Sequence, residues 1–100
     1  MHADLKDADL RQAQLPRANL AQAFLDGADL RGSNLQFTNL KGASLHGADL
    51  RGSTLYGTDL RQADLSGARL DEGALEQTQS CQGKLLPDAS AMVRRPWRSN

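Results

Sequence analysis

Leucine recurs at every fifth residue from Leu5 to Leu75, fifteen times without interruption. The set is Leu5, Leu10, Leu15, Leu20, Leu25, Leu30, Leu35, Leu40, Leu45, Leu50, Leu55, Leu60, Leu65, Leu70 and Leu75. Two positions before each stands a small residue: alanine at ten places from Ala3 to Ala68, Ser33, Ser53, Thr38, Thr58 and Gly73. The residue just before the leucine is mostly Asp or Asn, as at Asp4, Asp9, Asn19, Asp29, Asn34, Asn39, Asp49, Asp59 and Asp64. Self-similarity of this kind decides a fold before local propensity does.

A period of five fits neither regular element. On an α-helix, five residues advance the side chain by roughly 140° beyond a full turn, so fifteen leucines would point to every face. On a single straight strand an odd period sends successive leucines to opposite faces. All fifteen point inward only if the chain turns a corner once per pentad. Each pentad then reads as a short strand segment, with its small residue and leucine facing in, followed by a bend.

A longer repeat sets the number of corners. Gly-Ala-Asp-Leu-Arg-Gly-Ser occurs at 27–33 and again at 47–53, and Thr38 and Thr58 share the same spacing of twenty. Asp-Leu-Arg recurs at 9–11, 29–31 and 49–51, with an off-register copy at 59–61. Twenty residues are four pentads, which implies a square cross-section. Coils stacked about 4.8 Å apart make a regular stack of only about 18 Å from just under four turns. Glycines 27, 32, 42, 47, 52, 57 and 67 fall two residues after a leucine, at the expected corner, where a residue free to adopt positive φ relieves strain and is preferred rather than required. Gln12, Gln22 and Gln62 occupy other corners. The Asp or Asn before leucine is suited to bonding nearby backbone at the turn.

The tandem Ala-(Asp/Asn)-Leu-x-x motif resembles the pentapeptide-repeat family over about three quarters of the chain. The resemblance implies an all-β architecture, a right-handed quadrilateral β-helix of about four coils. It also implies a mostly bacterial family whose members largely have no known activity. Departures are local, with Phe24, Gln14, Arg69 and Ala74 replacing Asp or Asn. The expected organisation is a solenoid over 1–78 and a C-terminal segment over 79–100 that is either a cap or a disordered basic tail.

Composition agrees with a core laid along an axis. There are 17 leucines, one valine (Val93) and no isoleucine, and aromatics are 4%. Twelve basic and 12 acidic residues give a net charge of zero, which removes the simplest case for nucleic-acid or membrane-surface attraction. The balance divides into −2 over residues 1–75 (10 acidic, 8 basic) and +2 over 76–100 (two acidic, four basic). The single Cys81 forms no internal disulfide, and with no signal-like or spanning apolar run a cytoplasmic location is expected. The repeat starts at once, so the first coil is expected to be uncapped, either pairing with a second copy or continuing a longer chain. The last residues hold Arg94, Arg95, Trp97 and Arg98, and Leu86, Met92, Val93 and Trp97 could fold over the final coil.

Catalytic, cofactor and metal sites are not expected. His2 and His46 are far apart in the repeat, and Cys81 has no repeat-defined histidine partner. Asp9, Asp29 and Asp49 stack in one column beside Arg11, Arg31 and Arg51, so a paired-charge ladder is expected rather than a cation site. Such exposed pairs contribute little individually. Stacking by twenties brings Phe37 and Tyr56 into adjacent layers, a candidate partner-binding patch. The plainer reading is that Phe37 covers the space over Gly57.

The leading functional expectation is a small protein-interaction or scaffold module, with no enzymatic activity and no nucleic-acid partner. A mimic of duplex DNA acting on a type II topoisomerase, as the family resemblance allows, would need a long, strongly negative surface. The third alternative is a fragment or degenerate copy without an independent role.

Overall fold

The computed structural model describes residues 3–78. His2, Cys81 and the segment 79–100, with its basic run and Trp97, lie outside the described residues. Parallel β-bridges join each residue before a leucine to the residue twenty further on, from Asp4 with Phe24 to Asp49 with Arg69. The register never changes. The chain therefore winds in coils of twenty residues, each with four sides and four turns.

The sides are shorter than the strand segments expected from sequence. Every pairing among the described residues is an isolated one-residue bridge. Only three residues separate consecutive turns, and the central one directs both its N–H and its C=O at the coil below. Phe24 N–H thus donates to Ala3 C=O at 2.8 Å, while Phe24 C=O accepts from Leu5 N–H at 2.7 Å.

The backbone of one pentad accounts for all its donors. Ala28 N–H closes a turn onto Leu25 C=O, and Asp29 N–H reaches Ala8 C=O in the coil below. Leu30 and Gly32 N–H donate to Asp49 and Arg51 C=O in the coil above. The fifth donor, Arg31 N–H, is taken by Asp29 Oδ1 at 3.2 Å. The same bond forms from Arg11 to Asp9, Gln36 to Asn34, Lys41 to Asn39 and Ser66 to Asp64. This is why the motif calls for Asp or Asn before leucine: a short acceptor side chain meets the N–H two residues on.

The leucines form the axis. Leu25, Leu30, Leu35, Leu40, Leu45, Leu50, Leu55, Leu60 and Leu65 are at most 1% exposed, beside Ala23, Ala28, Ala43, Ala48 and Ala63 at 0%. Burying each leucine contributes about 1.5–3 kcal/mol. Thr38 and Thr58 replace alanine by donating their buried hydroxyls to Leu15 and Leu35 C=O, both at 2.6 Å. Leu5, Leu10, Leu15 and Leu20 of the first coil are only partly buried, as is Leu70.

The second residue of each turn has positive φ, the pattern of a type II turn. It is glycine at eight corners, Gly73 included, and Asp7, Gln12, Arg17, Gln22, Phe37 or Gln62, at φ 58–63°, at the others. A side chain at such a corner leans toward the next coil, and glycine stands above it: Gly27 over Asp7, Gly32 over Gln12, Gly42 over Gln22 and Gly57 over Phe37.

The repeat departs from its expected phase at one place. Gly73 is not the inward small residue before Leu75. The turn after Leu70 moves one residue along the chain, so that Ala74 N–H closes onto Asp71 C=O and Gly73 takes φ 81°. Left-handed φ at Glu72 would cost more than at glycine. The displaced residue is absorbed by a 3-10 helix, Ala74–Gln77, which still carries Leu75 inward at 2% exposure. Gly57 N–H accordingly bonds Gln77 C=O rather than the in-phase Glu76.

Candidate functional site

The second side presents Asp9, Asp29, Asp49 and Arg69 in one column, with Arg11, Arg31, Arg51 and Asp71 at the adjoining corner. Each of the first three Arg–Asp pairs is a fork. Arg11 Nε and Nη2 donate to Asp9 Oδ1 and Oδ2 at 2.8 Å each, and Arg31 and Arg51 bind Asp29 and Asp49 likewise. Weaker contacts link the coils, Arg11 Nε to Asp29 at 3.9 Å and Arg31 Nε to Asp49 at 3.8 Å. The order reverses at the top, where Arg69 stands over Asp49 and the Asp71 carboxylate accepts Gly52 N–H at 2.7 Å.

These forks hold the carboxylates ionised. Asp9 is pulled down to about 2, first by the Arg11 guanidinium and then by Arg11 N–H. Asp29 and Asp49 lie below the ordinary carboxylate range, chiefly through the side chains of Arg31 and Arg51. The arginines are raised in return. A shallow depression lined by Asp9, Arg11 and Gln12 lies on this ladder, with its carboxylate and guanidinium bound to each other. The off-register copy forms the same fork on the fourth side, Arg61 with Asp59 at 2.9 and 2.8 Å, because the Asp-x-Arg spacing alone determines it.

The third corner differs in kind. Its columns are Pro16, Gln36 and Tyr56, and Arg17, Phe37 and Gly57. The Phe37 and Tyr56 rings meet edge to face at a centroid separation of 5.5 Å and 90° between planes. The Arg17 guanidinium carbon lies 4.8 Å from the Phe37 ring centroid. Phe37 is 43% and Tyr56 60% exposed. Phe37 also occupies the space over Gly57, so one ring both fills that gap and extends the exposed column. Spacing by twenty puts Arg17 below Phe37, but the spacing carries no sign of the cation–π stack between them.

Phe24 projects from the first side at 45% exposure, with Lys6 Nζ 5.9 Å from its ring centroid. His46 is exposed at the first corner. On the same side the Ser66 hydroxyl donates to Asp64 at 2.6 Å and, with Ser66 N–H, lowers that carboxyl. Among the described residues no group of three or more His, Cys, Asp or Glu is arranged to hold a metal ion. No helix there is long and apolar enough to cross a membrane.

The model of pentapeptide repeats matches the chain in eight copies, over residues 2–32, 28–67 and 38–78. A pentapeptide repeat protein from Nostoc PCC 7120 is 36% identical, with a TM-score of 0.50, over 88% of this chain and 73% of its own. A second, from the Arabidopsis thaliana thylakoid lumen, is 28% identical over 82% of this chain and 57% of its own, with a TM-score of 0.48. A plasmid-mediated fluoroquinolone resistance protein is 17% identical over 95% of this chain and 71% of its own, with a TM-score of 0.47. No curated protein matches the chain significantly. With its uninterrupted leucine column, its Asx-closed turns and a family match spanning residues 2–78, the chain belongs to the pentapeptide-repeat family.

Proposed function

We propose that the chain is a non-catalytic protein-interaction module, wound as the right-handed quadrilateral β-helix of its family, which engages a protein partner through the Phe37–Tyr56 corner. The observation that supports this is the exposed Arg17–Phe37–Tyr56 column. Exposed adjoining aromatics with a guanidinium are the composition of interface anchors. The sequence also accepts left-handed φ at two consecutive non-glycine residues of this corner, Arg17 at 63° and Phe37 at 58°. Asp7, Gln12 and Gln22 at the other corners are each followed by glycine in the next coil. The charged ladder, by contrast, neutralises itself, which does not favour a DNA-like negative surface.

The test is a comparative capture from a cell extract with the native chain and with Phe37→Ala plus Tyr56→Ala. A partner retained by the native chain and lost by the variant supports the reading; capture that is unchanged removes it. A second reading, a homodimer through the first coil, is favoured by the partly exposed Leu5, Leu10, Leu15 and Leu20. Sedimentation equilibrium distinguishes it, because a monomer at every concentration excludes that interface.

A further inference from the structure

The electrostatics around the aromatic corner indicate what kind of partner it takes. The fourth side runs from that corner to the next, over residues 16–22, 36–42 and 56–62. It carries Arg17, Lys41 and Arg61 against Asp59, a net charge of +2, whereas residues 3–78 as a whole have 8 basic and 11 acidic residues, a net of −3. Asp59 is spent on Arg61, and at 8% exposure it is withdrawn from the surface. The middle of the side holds the amides of Asn19 and Asn39, whose Oδ1 atoms accept Ala21 and Lys41 N–H. The surface is therefore apolar along one edge, cationic at both edges and amide-lined between.

Arg17 is placed differently from the arginines of the forks. Arg11, Arg31, Arg51 and Arg61 each hold an aspartate two residues back. Arg17 stands one position later in its turn than those arginines, so the residue two back is Leu15, and Gln14 occupies the position that carries Asp in the forks. Arg17 instead lies on the face of Phe37. A guanidinium stacked on a ring keeps its in-plane donors directed outward, where they match a carboxylate.

We infer that this side docks an acidic peptide segment of a partner protein, in which an apolar residue packs on Tyr56 and Phe37 while flanking Asp or Glu carboxylates meet Arg17 and Lys41. The inference rests on the interaction reading above and adds the sign and order of the partner's side chains. Charge complementarity of this kind selects partners and steers encounter.

A displayed library of random dodecapeptides, selected on the folded chain at low salt, tests it. The selected peptides should carry Asp or Glu next to Leu, Ile or an aromatic. They should bind Arg17→Glu plus Lys41→Glu at least tenfold more weakly, and Tyr56→Ser more weakly, but Phe24→Ala unchanged. Circular dichroism and the melting temperature establish that each variant is folded. Raising the salt should weaken the acidic peptides and leave a lysine-for-glutamate version without binding. If selected peptides are neutral or basic yet are lost on Tyr56→Ser, the acidic-partner inference falls while the interaction reading stands. If nothing is selected, or all variants bind alike, both fall.

Discussion

The ring of Phe37 occupies the space into which a side chain at position 57 would project. A Cβ built on Gly57 would lie 2.5 Å from Phe37 Cε1 and 2.6 Å from Cδ1. Gly57 also holds φ at 71°. Two separable costs thus attach to this one glycine. A substitution must accept left-handed φ, and it must also displace a ring that Arg17 stacks on from below and that meets Tyr56 edge to face.

Gly57→Ala is expected to lower stability by about 2–3 kcal/mol, the sum of left-handed strain and overpacking. In a Phe37→Ala background only the strain remains, about 1–2 kcal/mol. Urea denaturation of the four proteins in this cycle measures the difference. Equal penalties in both backgrounds would mean that the ring does not sit over Gly57.

Gln14 and Pro16 show a matched pair of departures from the repeat. Elsewhere Asp or Asn accepts the N–H two residues on, as Asn34 does from Gln36 at 3.1 Å. Gln14 stands in that acceptor position, and Pro16 has no N–H to offer. The Gln14 amide is used instead between coils, where Gln14 Oε1 accepts from Asn34 Nδ2 at 3.2 Å. Proline is also favoured at this position of a type II turn. Pro16→Ala should therefore cost about 0.5–1 kcal/mol. Gln14→Asn should recover part of that loss in the Pro16→Ala background and none beside the native proline. Thermal melts of the double-mutant cycle provide the measurement.

The repeat was legible from sequence because one constraint, every leucine inward, leaves only a coil with a corner per pentad. The twenty-residue recurrence of Asp9, Asp29 and Asp49 then places the bridges in register. Two details escaped for physical reasons. Gly73 satisfies two roles, small inward residue or left-handed corner, and only the cost of positive φ at Glu72 favours the second. The direction in which corner side chains lean is a property of three-dimensional turns, so the stack of Arg17 on Phe37 is not written in spacing. The fork of Arg61 with Asp59 shows the converse: a local i, i+2 pair forms wherever Asp-x-Arg occurs, whether or not the twenty-residue column continues.

Acid should lower the stability of the chain modestly through the ladder, whose pairs are exposed and solvent-screened. Asp9, Asp29, Asp49 and Asp59 all have native pKa values below the ordinary 3.8, with Asp9 at about 2. A depressed carboxylate contributes stability that is fully present above its unfolded pKa and is lost as pH falls through the native one. The melting temperature should therefore be flat from pH 7 to about 5 on this account and decline between about pH 4 and pH 2. Replacing Arg11, Arg31 and Arg51 together with Gln should flatten that decline, because the carboxylates then titrate nearer their unfolded values. A decline of the same slope in native and triple-variant chains would show that the forks do not couple to folding.

Ser33 and Thr58 make opposite use of a buried hydroxyl in the small-residue column. Ser33 Oγ has no hydrogen-bond partner at 1% exposure, while Thr58 Oγ1 donates to Leu35 C=O at 2.6 Å. A buried polar group without a partner costs its desolvation, and one with a partner returns it. Ser33→Ala should therefore be neutral or stabilising by up to about 1 kcal/mol. Thr58→Val keeps the side-chain shape and removes the bond, which should cost about 1 kcal/mol; Leu35 C=O retains Thr38 N–H, so the loss is not larger. Denaturant midpoints of the two variants decide the matter. If Ser33→Ala destabilises as much as Thr58→Val, the Ser33 hydroxyl is bonded in solution and the contrast between the two positions disappears.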